Sequence, residues 1–245
     1  MQFLFCRKTY LFKLRMGIGL FWAVFFGLFC ALGVWQLHRY DYKKNLLATY
    51  QQRLASLPKP FQADSQQFQT IVVTGRYLNQ LTMLVQNRFY KDQPGFEVLT
   101  AFKIPHDEKL LLIDRGWISS QFREKGNLST HSPVHGNDVV VGYVKFLNEY
   151  QFILGENILY PNASPIVMQK IDTKKLSEIT HQAFYPFILR LSANQPNGFV
   201  RDWTITTVLP ERHMGYAVQW FAMAFVLLIA YFCFCCERVK PNDER

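Results

Sequence analysis

Charge is scarce in this chain. Of its 245 residues, 18% are Asp, Glu, Lys or Arg, against about 25% in ordinary soluble domains. Residues 16–37 and 214–236 carry no charge at all, residues 1–15 carry no acid, and no cysteine occurs between Cys30 and Cys233. Each absence excludes something. A cysteine-free central segment has neither a disulfide framework nor a thiolate metal site. No basic run or Arg-rich stretch occurs beyond the first fifteen residues, so the net charge of +9 does not make a nucleic-acid binder. No internal repeat, low-complexity tract, nucleophile elbow or phosphate-cradling glycine loop is present. With 16% aromatic residues, intrinsic disorder is excluded as well.

What is present is segregated. Mean hydropathy near zero averages two lipid-grade runs with a polar middle. Each run reaches the ~20 residues a helix needs to cross about 30 Å of hydrocarbon. Trp22, Trp35, Tyr216 and Trp220 lie toward the run ends, where amphipathic rings favour the membrane–water boundary. Arg7, Lys8, Lys13 and Arg15 precede the first run, and the tail from Glu237 holds three basic and three acidic residues. By the positive-inside rule both termini are cytoplasmic. The expected organisation is a cytoplasmic basic segment (1–15), a first transmembrane helix (16–37), a periplasmic, mostly β domain (38–213), a second transmembrane helix (214–236) and a cytoplasmic tail (237–245). Ala31-Leu32-Gly33 also satisfies a signal-peptidase pattern, but the run is long for a cleaved leader and continues through Trp35, which favours an uncleaved anchor.

In the middle segment, residues 70–77, 83–88, 96–104, 110–117, 139–146, 166–170 and 187–191 read as strands, with hairpin connections at 78–81 and 105–108. Asp172 predicts the N-cap of a short helix to Thr180. Leu46, Leu47, Tyr50 and Leu54 have helical spacing and extend the first helix until Pro58. Residues 119–138 read as a loop. The fold class is therefore membrane α+β: a two-helix transmembrane hairpin carrying a mostly antiparallel β domain with few short helices.

Candidate chemistry is sparse. His106, Asp107 and Glu108 occupy a hairpin tip, where exposed polar residues are expected. His131 and His135 have zinc-ligand spacing, but Pro133 interrupts any helix between them. Asp114 and Arg115 read as a structural ion pair at a strand end. Cys233, Cys235 and Cys236 read as lipid-facing small residues. Pro210 and Glu211 suit a helix first turn, which places His213, Tyr216 and Trp220 on one face. That face fits an interfacial aromatic belt, or an imidazole ligand to heme iron with flanking rings. His38, just beyond the first run, reads as an interface marker and offers at most a second axial ligand.

Five segments resemble, in order, the surfeit locus protein 1 family of cytochrome c oxidase assembly factors. They are Gly33-Val34-Trp35-Gln36-Leu37-His38-Arg39 with Lys43 and Lys44; Gly75-Arg76-Tyr77; Gln86-Asn87-Arg88 with Pro94-Gly95-Phe96; Asp114-Arg115-Gly116-Trp117-Ile118; and residues 212–221, Arg-His-Met-Gly-Tyr-Ala-Val-Gln-Trp-Phe. Between 119 and 211 only Tyr160-Pro161-Asn162 is similar to the family. The resemblance implies a non-enzymatic inner-membrane protein, a bacterial member located in the plasma membrane. It would bind heme a and assist its insertion into oxidase subunit I, alongside other oxidase assembly factors. His213 would be the ligand to heme iron, Trp220 and Tyr216 would flank it, and Trp35, Gln36 and Arg39 would complete the wall, with Arg39 facing a propionate. A scaffold that stabilises an oxidase assembly intermediate without touching heme is the alternative.

Overall fold

A computed structural model describes residues 2–5, 8–12, 16–121, 138–147, 157, 159, 165–203, 205–206 and 208–238. The expectations for His131, His135 and Tyr160-Pro161-Asn162, and most of the 119–138 loop, lie outside them. The chain divides into two compact units, residues 1–48 with 204–245, and residues 49–203.

The first unit is built on two long helices, α1 (Met16–Leu54) and α3 (Pro210–Cys235). Both are long and apolar enough to cross a membrane. They run antiparallel: Trp22 stacks near Tyr231 at 5.7 Å and Phe29 near Trp220 at 5.7 Å, while Gln36 meets His213 at 2.8 Å. The contacting residues of α1 (Gly19, Trp22, Phe29, Gly33, Gln36) step by three, seven, four and three, the heptad spacing of helices crossing at a shallow left-handed angle. Small residues permit the approach. The Phe221 ring occupies the space of a Gly33 side chain, 2.7 Å from where a Cβ would stand, and Ala217 and Ala224 are buried. Such small-residue seams replace the hydrophobic drive that lipid removes. Strands β1 (Gln2–Phe5), β2 (Lys8–Phe12) and β10 (Cys236–Arg238) form a three-stranded sheet joining the flanks of the two helices. A sequence reading that treats residues 1–15 as a bare basic segment misses it.

The second unit contains β3 (Lys59–Pro60), β4 (Thr70–Tyr90), β5 (Gln93–Lys103), β6 (Leu110–Ser119), β7 (Asp138–Phe146), β8 (Ile166–Met168), α2 (Thr173–Thr180) and β9 (Phe184–Leu191). Hydrogen bonding follows the path β4-β5-β6-β9-β7, and β7 pairs back onto β4, so the sheet closes into a ring. Closure removes the exposed edges of the five strands that make the ring. The β6–β9 pairing is parallel; the other ring pairings are antiparallel.

One expectation for the strands needs correction. Residues 78–81 are not a hairpin: β4 runs through them as one strand, with a register shift between Leu78 and Thr82. Thr82 Oγ1 donates to Asn79 O at 2.8 Å across the irregularity. The turn is at Lys91-Asp92, with φ of 46° and 61°, both in the region that a two-residue primed turn requires. Without a glycine, that turn carries little local signal.

Because both faces are covered, β6 reads as an unbroken apolar run rather than an alternating one. Leu110 and Leu112 join Met83, Leu99, Met168 and Leu176 on one face; Leu111 and Ile113 join Ile71, Phe102, Val144 and Leu189 on the other. Helix α2 seals the first cluster with Leu176, fully buried. Its N-cap is Asp172, whose carboxylate accepts from the backbone N–H groups of Lys174 and Lys175, each at 3.1 Å. Asp172→Ala is expected to cost about 1 kcal/mol, read as a lowered urea midpoint of the purified protein.

Candidate functional site

Helix α3 begins where Pro210 supplies a preset φ at its first position and Glu211 complements the positive helix end. One turn in, His213 directs its ring at α1. Its Nδ1 lies 2.8 Å from Gln36 Oε1, and the Gln36 side chain is buried. With that oxygen as acceptor, a neutral ring would carry its proton on Nδ1 and keep a free lone pair on Nε2. Nε2 is itself buried and has no hydrogen-bond partner among the described residues. Leaving a buried polar atom unpaired costs about 1–3 kcal/mol. A nitrogen in that state, oriented through its opposite ring atom, has the donor chemistry of a metal-ligating histidine. Among the described residues no group of three His, Cys, Asp or Glu could hold a metal ion.

The other sequence-predicted residues are placed less uniformly. Trp220 is half-buried, its ring 5.7 Å from Phe29. Tyr216, Trp35 and Arg39 are exposed, and the Arg39 guanidinium lies 5.5 Å from the Tyr42 ring centre. His38 is exposed, two residues from Gln36, and a two-residue step turns about 200° around a helix. The hairpin therefore pairs His213 with Gln36, not with His38. Further along α1, Lys43 Nζ donates to Thr206 Oγ1 at 2.8 Å.

The barrel holds a second polar locus, buried and densely charged. Glu97 Oε2 accepts from Arg88 Nε and Glu97 Oε1 from Arg190 Nη2, each at 3.0 Å. Arg190 Nε donates to Asp114 Oδ2 at 3.2 Å, and the Arg190 guanidinium lies 4.4 Å from the Trp203 ring centre. Burial and the neighbouring Glu97 charge push the Asp114 carboxyl up to about 7. Although burial opposes it, Arg190 and Arg88 hold Glu97 below its ordinary value. Burial also drives the Tyr143 phenol up and Lys145 down. The expected Asp114–Arg115 pair is thus corrected. A register shift in the β5–β6 ladder at Val98/Leu99 turns Arg115 away, and its Nε donates to Asn197 O at 2.7 Å. Asp114 finds its cation on β9, 76 residues on, which no local pattern announces. Each carboxylate is met by guanidinium, an arrangement that fastens β4, β5, β6 and β9 together.

At the hairpin tip between β5 and β6, Asp107 accepts from the Tyr185 hydroxyl at 2.5 Å, which helps hold that phenol up at about 12 after burial. Asp107 therefore serves as an anchor for β9, in keeping with the structural reading of that tip.

Comparison with known proteins agrees with the five motifs. The model of the SURF1 family matches residues 23–225, from within α1 to within α3. A SURF1-like protein of Rickettsia felis is 25% identical over 88% of this chain and 96% of its own length. A SURF1-like protein of Monosiga brevicollis is 23% identical over 87% of each. The cytochrome oxidase assembly protein SHY1 of Saccharomyces cerevisiae is 31% identical over 37% of this chain and 25% of its own length. With a family model covering most of both long helices and the whole closed barrel between them, the chain belongs to the SURF1 family.

Proposed function

We propose that this protein is a cytochrome c oxidase biogenesis factor that binds heme a at His213 and assists its insertion into oxidase subunit I. Family membership and the yeast relative's role in cytochrome oxidase assembly support the process. The buried Nε2 of His213, without a hydrogen-bond partner among the described residues, is the observation that carries the ligand. His213 would hold heme a through a ring nitrogen, and the group would supply an iron for that donor and two anionic propionates. His213 presents the donor, with Gln36 fixing which ring nitrogen is free. Trp220 supplies half-buried aromatic surface on the same helix, and Tyr216 and Trp35 exposed surface. The exposed Arg39 guanidinium is available to a carboxylate.

Nε2 is covered in this structure, so ligation of iron requires the side chains over it to move aside. The four basic residues before α1 support cytoplasmic termini, and the Rickettsia relatives support a bacterial inner membrane, with residues 38–213 in the periplasm and subunit I and other assembly factors as partners.

The test is the visible spectrum of the protein purified from cells that make heme a. A heme signal in the wild type that falls to background in His213→Ala is expected. Wild-type occupancy in His213→Ala overturns the ligand assignment. If deletion of the protein lowers oxidase abundance while each remaining complex holds its full heme, the scaffold alternative replaces this reading.

A further inference from the structure

The hydrogen bond between the two long helices joins a neutral amide to the candidate ligand. The geometry points to Gln36 as the positioning residue of the heme site. Accepting from His213 Nδ1–H, it holds the imidazole in the tautomer whose Nε2 lone pair is free to bind iron. This inference rests on the heme reading proposed above and adds a residue on the opposing helix.

Three observations carry it. The 2.8 Å separation joins Nδ1 to the amide oxygen, so the proton is placed on Nδ1 and the lone pair on Nε2. Gln36 is 9% exposed, on the contact seam of α1 where Gly33, three residues earlier, packs against Phe221. Its rotamer is therefore confined by helix packing, where an exposed residue such as His38 has no such restraint. His213 Nε2, the atom left over, has no competing partner among the described residues. A neutral histidine without the amide would distribute its proton over both nitrogens, and the tautomer with Nε2–H cannot ligate. Outer partners of this kind are worth 10–100-fold in metal affinity.

Histidine labelled with nitrogen-15 in the heme-free, detergent-purified full chain reads the tautomer directly, with the His213 signals identified by their loss in His213→Ala. The wild type should show a protonated Nδ1 and an unprotonated Nε2. Gln36→Leu should lose that single state and raise the dissociation constant for added heme a by 10–100-fold. Gln36→Glu keeps an acceptor, so it should restore the tautomer and most of the affinity. It should also lower the midpoint potential of the bound heme, because a carboxylate makes the imidazole a stronger donor. A purely structural role for Gln36 would leave tautomer and potential unmoved. A wild-type Nε2–H tautomer, or Gln36→Leu binding heme a as tightly as wild type, overturns the inference. Should the wild type take up no heme a, the proposed function fails along with the ligation role, whereas a failed tautomer measurement beside intact binding sinks Gln36 alone.

Discussion

Arg190→Met should destabilise the barrel by about 3–5 kcal/mol, the usual cost of removing one member of a buried charge network. Arg190 is 6% exposed and joins two carboxylates on different strands, Glu97 at 3.0 Å and Asp114 at 3.2 Å. Methionine fills much of the volume but leaves Asp114, fully buried and with its carboxyl already held up at about 7, without its cation, so the full cost is expected above about pH 8, where the wild-type carboxyl is ionised. Arg88 still reaches Glu97, so the uncompensated group is chiefly Asp114. Urea unfolding followed by tryptophan fluorescence suits the measurement: Trp203 lies against the Arg190 guanidinium and its indole N–H donates to Leu191 O at 3.2 Å. The double variant Asp114→Asn, Arg190→Met, which keeps the Arg88–Glu97 pair, should recover a large part of the loss, since the penalty comes from stranded charge rather than from lost attraction. Equal losses in the single and double variants would show that packing on Trp203 matters more than charge.

This network also marks where local pattern stops informing. The spans were legible because residues 16–37 and 214–236 are free of charge over membrane length, a signal contained within each segment. Helix α2 was legible for a similar reason, since Asp172 caps it through N–H groups two and three residues away. Strand content followed from Val, Ile and Phe enrichment. Ring closure did not, because it depends on Thr70 meeting Tyr143 and on Gly142 meeting Leu191, pairings set by packing across the whole domain. The Asp114–Arg115 dipeptide misled because adjacency along a strand suggests a pair, whereas the register shift at Val98/Leu99 leaves Arg115 out of the ladder and turns it away from Asp114. At the candidate site, His213 and Trp220 stood out by spacing and by resemblance. Gln36 belonged to the same resemblance, but its contact with His213, 177 residues away, depends on how the two helices pair.

Gly116→Ala should cost about 3 kcal/mol, from strain at a positive φ together with overpacking against backbone. Gly116 adopts φ +115°, and a Cβ there would stand 2.5 Å from the Val200 carbonyl oxygen. That oxygen is committed: Trp117 N–H donates to it at 2.8 Å, while Val200 N–H donates back to Trp117 O at 3.2 Å. One residue before the glycine, Phe199 N–H donates to Arg115 O at 2.7 Å, and the Arg115 guanidinium lies 4.8 Å from the Phe199 ring centre. The obstacle is thus a backbone segment clamped on both sides of Gly116, and no side-chain rotation relieves it. Gly215→Ala is the matched control, because a Cβ there meets nothing within 4 Å and alanine favours a helix interior over glycine by roughly 0.5–1 kcal/mol. Loss of stability in Gly116→Ala with none in Gly215→Ala, read by the same urea series, is the expected result. A Gly116→Ala protein as stable as wild type would mean that the 199–201 segment can lift from β6. The glycine in Asp-Arg-Gly-Trp would then owe nothing to the close approach of Val200.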